Sequence, residues 1–146
     1  MLAALFSTIL LCGSSCKKLK LLTGDKAALE QFFAENVIGQ NFVVDFATDS
    51  SIDITTQYTG YNFVLSKTTS YYNGVLTGKK DGITYTGTWS TNSDYSQLVI
   101  NLTSSNIPAS FAFLNRTWKF TQKVPPLLKL APWGSTEPKV LYMRRL

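Results

Sequence analysis

The sequence has no histidine, and its two cysteines both fall within the first sixteen residues. The first absence removes the usual general base and the commonest metal ligand, so no Ser–His–Asp or Cys–His arrangement can be assembled. Charge is sparse as well: 14 Lys and Arg against 9 Asp and Glu make up 16% of the chain, for a net +5. The basic residues are scattered, from Lys67, Lys79 and Lys80 through Arg116, Lys119, Lys123, Lys129 and Lys139 to Arg144 and Arg145. They form no dense basic face, so nucleic acid is not an expected partner. No glycine-rich phosphate loop leads into a helix. The carboxylates Asp45, Asp49, Asp53, Asp81, Asp94 and Glu137 fall mostly at turns or on solvent faces, and Asp49 and Asp53 lack the dense oxygen spacing of a calcium loop. The expectation is a protein that is not an enzyme, with no catalytic residue, no metal site and no cofactor.

What the chain does have begins at its N-terminus. An uncharged apolar run from Leu2 to Leu11 is too short to span a bilayer, which takes about 20 such residues. The small residues Gly13, Ser14 and Ser15 follow, and then Cys16. That order marks a segment that is cleaved and not folded. Gly13-Ser14-Ser15-Cys16 resembles the loose lipobox of Bacteroidetes-type lipoproteins, in which the cysteine becomes the lipidated first residue. The alternatives are an ordinary secretory signal or a buried apolar strand. On the lipobox reading, residues 1–15 are a signal peptide, residues 16–24 are the lipidated cysteine and its tether, and residues 25–146 are one domain. Processing would consume both cysteines, leaving no thiol and no disulfide. Lys17, Lys18 and Lys20 stand where an acidic surface-export signal would lie. They favour a position on the bacterial outer membrane facing the periplasm, near anionic head groups.

Residues 25–36 (DKAALEQFFAEN) are the one convincing helix, with Ala28, Leu29, Phe32 and Phe33 on one face. Thr23 or Asp25 can cap its start, and Asn36 and Gly39 offer an end. Such a helix is expected to lid one end of a β core. From Phe42 onward the period changes to two. Phe42, Val44 and Phe46 share a face, and Ile52, Ile54, Thr56 and Tyr58 alternate next. Tyr61, Phe63 and Leu65 follow, then a strand within residues 70–79. Asp81-Gly82 is a strong type I′ hairpin signal, leading to Ile83, Tyr85, Gly87 and Trp89 on one face. Leu98, Ile100 and Leu102 mark a further strand. Residues 107–114 suggest a helical turn with Pro108 at its start. Trp118 and Phe120 mark the next strand, and residues 127–131 and 139–144 make a last hairpin across Pro132-Trp133-Gly134-Ser135. No long helices intervene, so a parallel α/β sheet is excluded. The fold class is all-β: an eight- to nine-stranded antiparallel barrel or sandwich with one short N-terminal helix.

The spacing Gly82-x4-Gly87-Thr88-Trp89-Ser90, followed by Leu98-Val99-Ile100, resembles the lipocalin-like lipoproteins of Bacteroidetes-type bacteria. Leu114-Asn115-Arg116-Thr117-Trp118-Lys119-Phe120 and the closing Leu128-x-Leu130…Val140-Leu141-Tyr142 fit the same layout. The Gly-x-Trp that commonly opens such chains is replaced by Gly39-Gln40-Asn41-Phe42. The resemblance implies a lipocalin-like barrel and carries no catalytic residues across. It also implies a small apolar or amphipathic ligand at the mouth or interior, with Cys16 anchoring the barrel to the membrane. The other reading is a structural module of the cell envelope presenting loops to a protein or glycan partner.

Aromatic side chains suit either reading, because they join a large apolar body to a polar handle. Trp89 and Trp118, inside strands, are expected in the core. Trp133, in its Pro-Trp-Gly turn, and Tyr71 and Tyr72, beside the Asn73-Gly74 bend, are expected to be exposed and to contact ligand or partner. Mass spectrometry of the mature protein should find an acylated Cys16 as its first residue. An unmodified residue at another position would overturn the anchor.

Overall fold

The computed structural model describes residues 26–146. The expected signal peptide and tether, Cys16, and the caps expected from Thr23 and Asp25 lie outside the described residues. The helix α1 spans Lys26–Asn36 and buries Leu29 and Phe33, two of the four residues read on its apolar face. It ends where Gly39 takes a positive φ of 73°, a backbone region that glycine enters without steric cost. Phe33 packs against Tyr95 with ring centroids 4.4 Å apart and against Phe120 at 5.6 Å. The helix therefore lids one end of the β structure, as its amphipathic pattern implied.

Nine antiparallel strands follow: β1 Asn41–Asp49, β2 Ile52–Asp53, β3 Asn62–Lys67, β4 Asn73–Lys80, β5 Ile83–Ser90, β6 Gln97–Leu102, β7 Thr117–Val124, β8 Leu127–Pro132 and β9 Lys139–Arg145. Neighbours pair in the order β2-β1-β3-β4-β5-β6-β7-β8-β9, and β1 also pairs with β9. That last pairing closes eight strands into a barrel, with β2 as an extra stub on β1, so the open choice between barrel and sandwich resolves to the barrel. The Asp81-Gly82 hairpin forms as read, with positive φ at both residues and Lys80 opposite Ile83. Ser50 and Ser51 also take positive φ between β1 and β2. The turn after Pro108 becomes the short helix α2, Phe111–Leu114.

Eight strands enclose a space just wide enough for side chains to fill, and here they fill it. Phe42, Phe63, Leu65, Leu76, Trp89, Leu98, Leu102 and Trp118 are at most 2% exposed. Large residues stand beside small ones on neighbouring strands. Phe63 pairs with Gly78, and a Cβ there would stand 3.0 Å from the Phe63 ring. At Gly87 a Cβ would overlap the carbonyl oxygen of Asn101, so glycine is what lets β5 approach β6 so closely. Burying each large side chain contributes about 1.5–3 kcal/mol.

Two expectations from period-two reading need correcting. Val44 pairs with Met143 but Phe46 pairs with Tyr142, so the register slips by one residue at Asp45. A bulge of this kind adds a residue and reverses the faces beyond it. Ala47 is therefore buried and Phe46 lies on the outer surface, its ring tilted against Tyr142 with centroids 5.5 Å apart. The alternation from Ile52 to Tyr58 is likewise not a strand. After the two residues of β2, the side chain of Asp53 accepts the Thr55 amide at 2.8 Å, and Thr55–Tyr58 coil into a 3-10 turn. That local hydrogen bond competes with a ladder. The turn covers the β1 edge: Ala47 donates its amide to Thr55 Oγ1 at 2.9 Å, and Ile54 donates to the Ala47 carbonyl.

At the opposite end from α1, the chain between β6 and β7 is tied down by one side chain. Asn115 Oδ1 accepts the Leu102 amide at 2.7 Å, and Asn115 Nδ2 donates to the Leu102 carbonyl at 2.9 Å. The amide thereby stands in for a strand partner at a residue 1% exposed. Trp118 Nε1 donates to the Leu114 carbonyl at 2.9 Å. Replacing Asn115 by Ala leaves a buried donor and acceptor without these partners. The expected loss in urea denaturation is roughly 1–3 kcal/mol with an unchanged m value; a loss within error would show that the contact carries no stability.

Candidate functional site

Strand direction sorts the molecule into two ends. β1 ends beside the start of β9, with Asp49 opposite Lys139. The β4–β5 hairpin, the β6–β7 connection with α2, and the β8–β9 loop all lie at that same end. The β3–β4, β5–β6 and β7–β8 connections lie at the other, with α1. Trp133 is in the β8–β9 loop and Tyr71 and Tyr72 are in the β3–β4 connection, so the structure places them at opposite ends and brings no common site out of them.

Their surroundings also differ. Trp133 is 42% exposed, and its amide donates to the Thr117 carbonyl at 3.0 Å. Tyr71 and Tyr72, expected to be exposed, are both partly buried. Tyr72 stacks on Tyr95 at 5.4 Å and packs against the core, because α1 and the β5–β6 connection fold over it. Its hydroxyl is buried and has no hydrogen-bond partner among the described residues. Lys67 sits 3.8 Å above the Tyr71 ring, a cation–π contact at the rim. Lys123 points inward because β7 slips register between Phe120 and Gln122; its Nζ donates to the Tyr95 carbonyl at 2.6 Å. Burial pushes the Lys123 ammonium below its ordinary pKa.

The cleft that could hold a ligand is at the other end, the barrel mouth. It has a volume of about 400 Å³ and is lined by Asp49, Ile54, Gln57, Ala109, Ser110, Ala112, Phe113, Arg116 and Lys139. Its walls come from the end of β1, the 3-10 turn, α2 and the start of β9. Beneath it, Tyr58, Phe111 and Phe113 close the barrel. Tyr58 donates its hydroxyl to the Ser110 carbonyl at 2.7 Å, and burial holds its pKa far above the ordinary tyrosine value. Access from this mouth to the interior is therefore filled by the protein's own rings. A second cleft, about 390 Å³, lies over β4 and β5, lined by Val75, Thr88 and neighbours. Val75 and Thr88 face each other on the barrel's outer surface.

Four charged groups rim the mouth cleft. Lys139 Nζ lies 2.5 Å from Asp49 Oδ1 and 3.2 Å from Glu137 Oε2. Arg116 Nη1 lies 3.5 Å from the same Glu137 oxygen, and Arg116 Nε donates to the Phe113 carbonyl at 2.8 Å. The guanidinium also stands 5.3 Å over the Phe113 ring and 5.4 Å over Trp118. The rim thus offers two fixed cations beside an apolar floor. Sequence reasoning passed over Arg116, Glu137 and Lys139 as site residues. Arg116 stood in the Asn-Arg-Thr-Trp run quoted for its resemblance, but no spacing rule joins residue 49 to residue 139. Two further carboxylates are engaged elsewhere: Asp45 with Arg144 at 2.6 Å, and Asp94 with Ser96.

No protein-family model matches the chain, and no curated protein matches it in sequence. Its fold is similar to the crystal structure of a DUF4847 family protein from Bacteroides vulgatus, with a TM-score of 0.53 at 18% identity. The match covers 75% of this chain and 94% of that one. At such identity the likeness speaks to the fold alone.

The Asp49–Lys139 pair makes a pH prediction. The hydrogen bond from Lys139 holds the Asp49 carboxyl below its ordinary value of 3.8, and the same bond raises Lys139 above 10.5. A depressed carboxyl contributes stability above 3.8 that is lost as pH falls through the folded value. A raised lysine contributes stability below 10.5 that is lost as pH rises through its folded value. The Tm difference between wild type and Asp49→Asn should therefore be flat across neutral pH and close at both extremes. A difference that stayed constant as acid unfolds the protein would contradict this assignment.

Proposed function

We propose that this chain is a non-enzymatic, lipid-anchored protein of the bacterial envelope that binds a small amphipathic ligand at the mouth of a lipocalin-like barrel. The observation that carries this reading is the pairing of a side-chain-filled interior with an open mouth cleft. Phe42, Phe63, Trp89 and Trp118 occupy the interior, while Ile54, Ala112 and Phe113 give the cleft an apolar floor beneath Arg116 and Lys139. The cleft thus sets apolar side chains beside charged and polar ones, and a small-molecule site draws on both kinds of contact. Absence of catalytic function is supported by the chain's lack of histidine and by carboxylates committed to ion pairs and turns.

The anchor reading rests on the Leu2–Cys16 sequence. The described chain enters at Lys26, on the helix that lids the end opposite the cleft. A lipid at Cys16 would hold that end toward the outer membrane and turn the mouth to the periplasm. Presentation of loops to an envelope protein or glycan is the second reading. It is favoured by the exposed Ile52, Ile83 and Trp133, which all lie at the mouth end.

Titration with octanoate, followed by amide chemical shifts, tests the ligand reading. A short amphiphile gaining about 0.4 kcal/mol per heavy atom should bind with Kd on the order of 1 mM. Shifts should centre on Ile54, Ala112 and Phe113, and Ala112→Trp, at an exposed position on α2, should abolish them by filling the cleft. Shifts confined to core residues, or none, would sink the cleft and leave the exposed mouth loops as the functional surface.

A further inference from the structure

Glu137 differs from the other three charges at the mouth. Asp49 is on β1, 2.5 Å from Lys139, and also accepts from Ser50 Oγ at 3.2 Å. Lys139 is on β9 and its side chain is only 14% exposed. Arg116 is fixed by its bond to the Phe113 carbonyl and by the rings beneath it. Glu137, in contrast, lies in the loop between β8 and β9, where every residue from 133 to 138 is exposed. Its side chain is 55% exposed, and its two contacts, at 3.2 and 3.5 Å, are longer than the Asp49–Lys139 contact. It touches both cations that line the cleft without itself lining it.

Charge counting gives this arrangement a meaning. With Glu137 in place, two cations face two carboxylates and the rim is neutral. With Glu137 swung away, one positive charge is left uncompensated beside an apolar floor. A neutral ligand would leave that charge unpaired, and a dianion would overshoot it. Resting on the reading of the mouth cleft as the ligand site, we propose that Glu137 is a built-in stand-in for the ligand's head group. The ligand class is then a monoanionic amphiphile whose carboxylate displaces Glu137 from Arg116 and Lys139 while its apolar body lies along Phe113. The guanidinium suits the role, since its planar donors match a carboxylate. The exchange trades one carboxylate for another at the same cations, so the rim keeps its charge balance.

The test compares octanoate with neutral 1-octanol on wild type, Glu137→Gln and a control, Glu35→Gln, whose carboxylate is exposed on α1 at the far end. Removing an exposed competing charge worth up to about 1 kcal/mol should tighten octanoate roughly two- to fivefold. Binding of 1-octanol should be unchanged, which also shows that the variant's cleft is intact. The Arg116 Nε–H resonance should shift with octanoate and not with 1-octanol, and Glu35→Gln should match wild type throughout. Equal tightening of both probes, or none, would overturn the exchange while leaving the cleft as a ligand site. Failure of both probes to perturb the cleft in any of the proteins would overturn the site and the exchange together.

Discussion

Pairing between the first long strand and the last is the contact on which the rest of this structure depends. β1 and β9 run together from Phe42 opposite Arg145 to Asp49 opposite Lys139, across a sequence separation of 90 residues or more. Without that pairing the sheet would have two open edges, and the aromatic face now inside the barrel would meet water. With it, Asp49 and Lys139 form the ion pair at the mouth. The bulge at Asp45 belongs to the same pairing, and it sends Ala47 inward and Phe46 out.

Closure with eight strands leaves little interior space, and the chain uses it for aromatic rings packed against glycines and leucines. Each end is then finished by a short helix. Phe33 of α1 fills one end against Tyr95 and Phe120, while Phe111 and Phe113 of α2 fill the other with Tyr58 and Tyr61. A barrel filled this way leaves its open clefts at the mouth and on the outer surface, and its interior is given over to packing. Several polar groups at the ends are satisfied through specific side chains. Asn115 completes the Leu102 backbone, and Trp89 Nε1 donates to the Ser66 carbonyl at 3.0 Å.

The two ends of the barrel have different chemical characters. Around α1 the aromatic rings of Tyr72 and Tyr95 are packed down, and lysines lie against ring faces or backbone carbonyls. Around α2 a balanced set of charges surrounds an apolar floor. The described chain enters at the lidded end, and the charged cleft lies at the other.

Much of this architecture was legible in local pattern. The amphipathic helix at residues 26–36, the Asp81-Gly82 hairpin, the final hairpin across Pro132 to Ser135, and the inward positions of Trp89 and Trp118 follow from periodicity and turn chemistry, which act over a few residues. The 3-10 turn at Thr55–Tyr58 and the outward Phe46 were not legible. One depends on a side chain competing with the ladder, and the other on a bulge set by the partner strand. The site was hidden for a stronger reason. Asp49, Arg116, Glu137 and Lys139 carry no shared motif, and only barrel closure and the return of the β8–β9 loop bring their charges within hydrogen-bonding range. Local sequence determined which segments are strands, which turns join them and which rings face inward. Tertiary structure decided barrel over sandwich, and which distant charges meet, because pairing between remote strands is governed by the packing of the whole sheet.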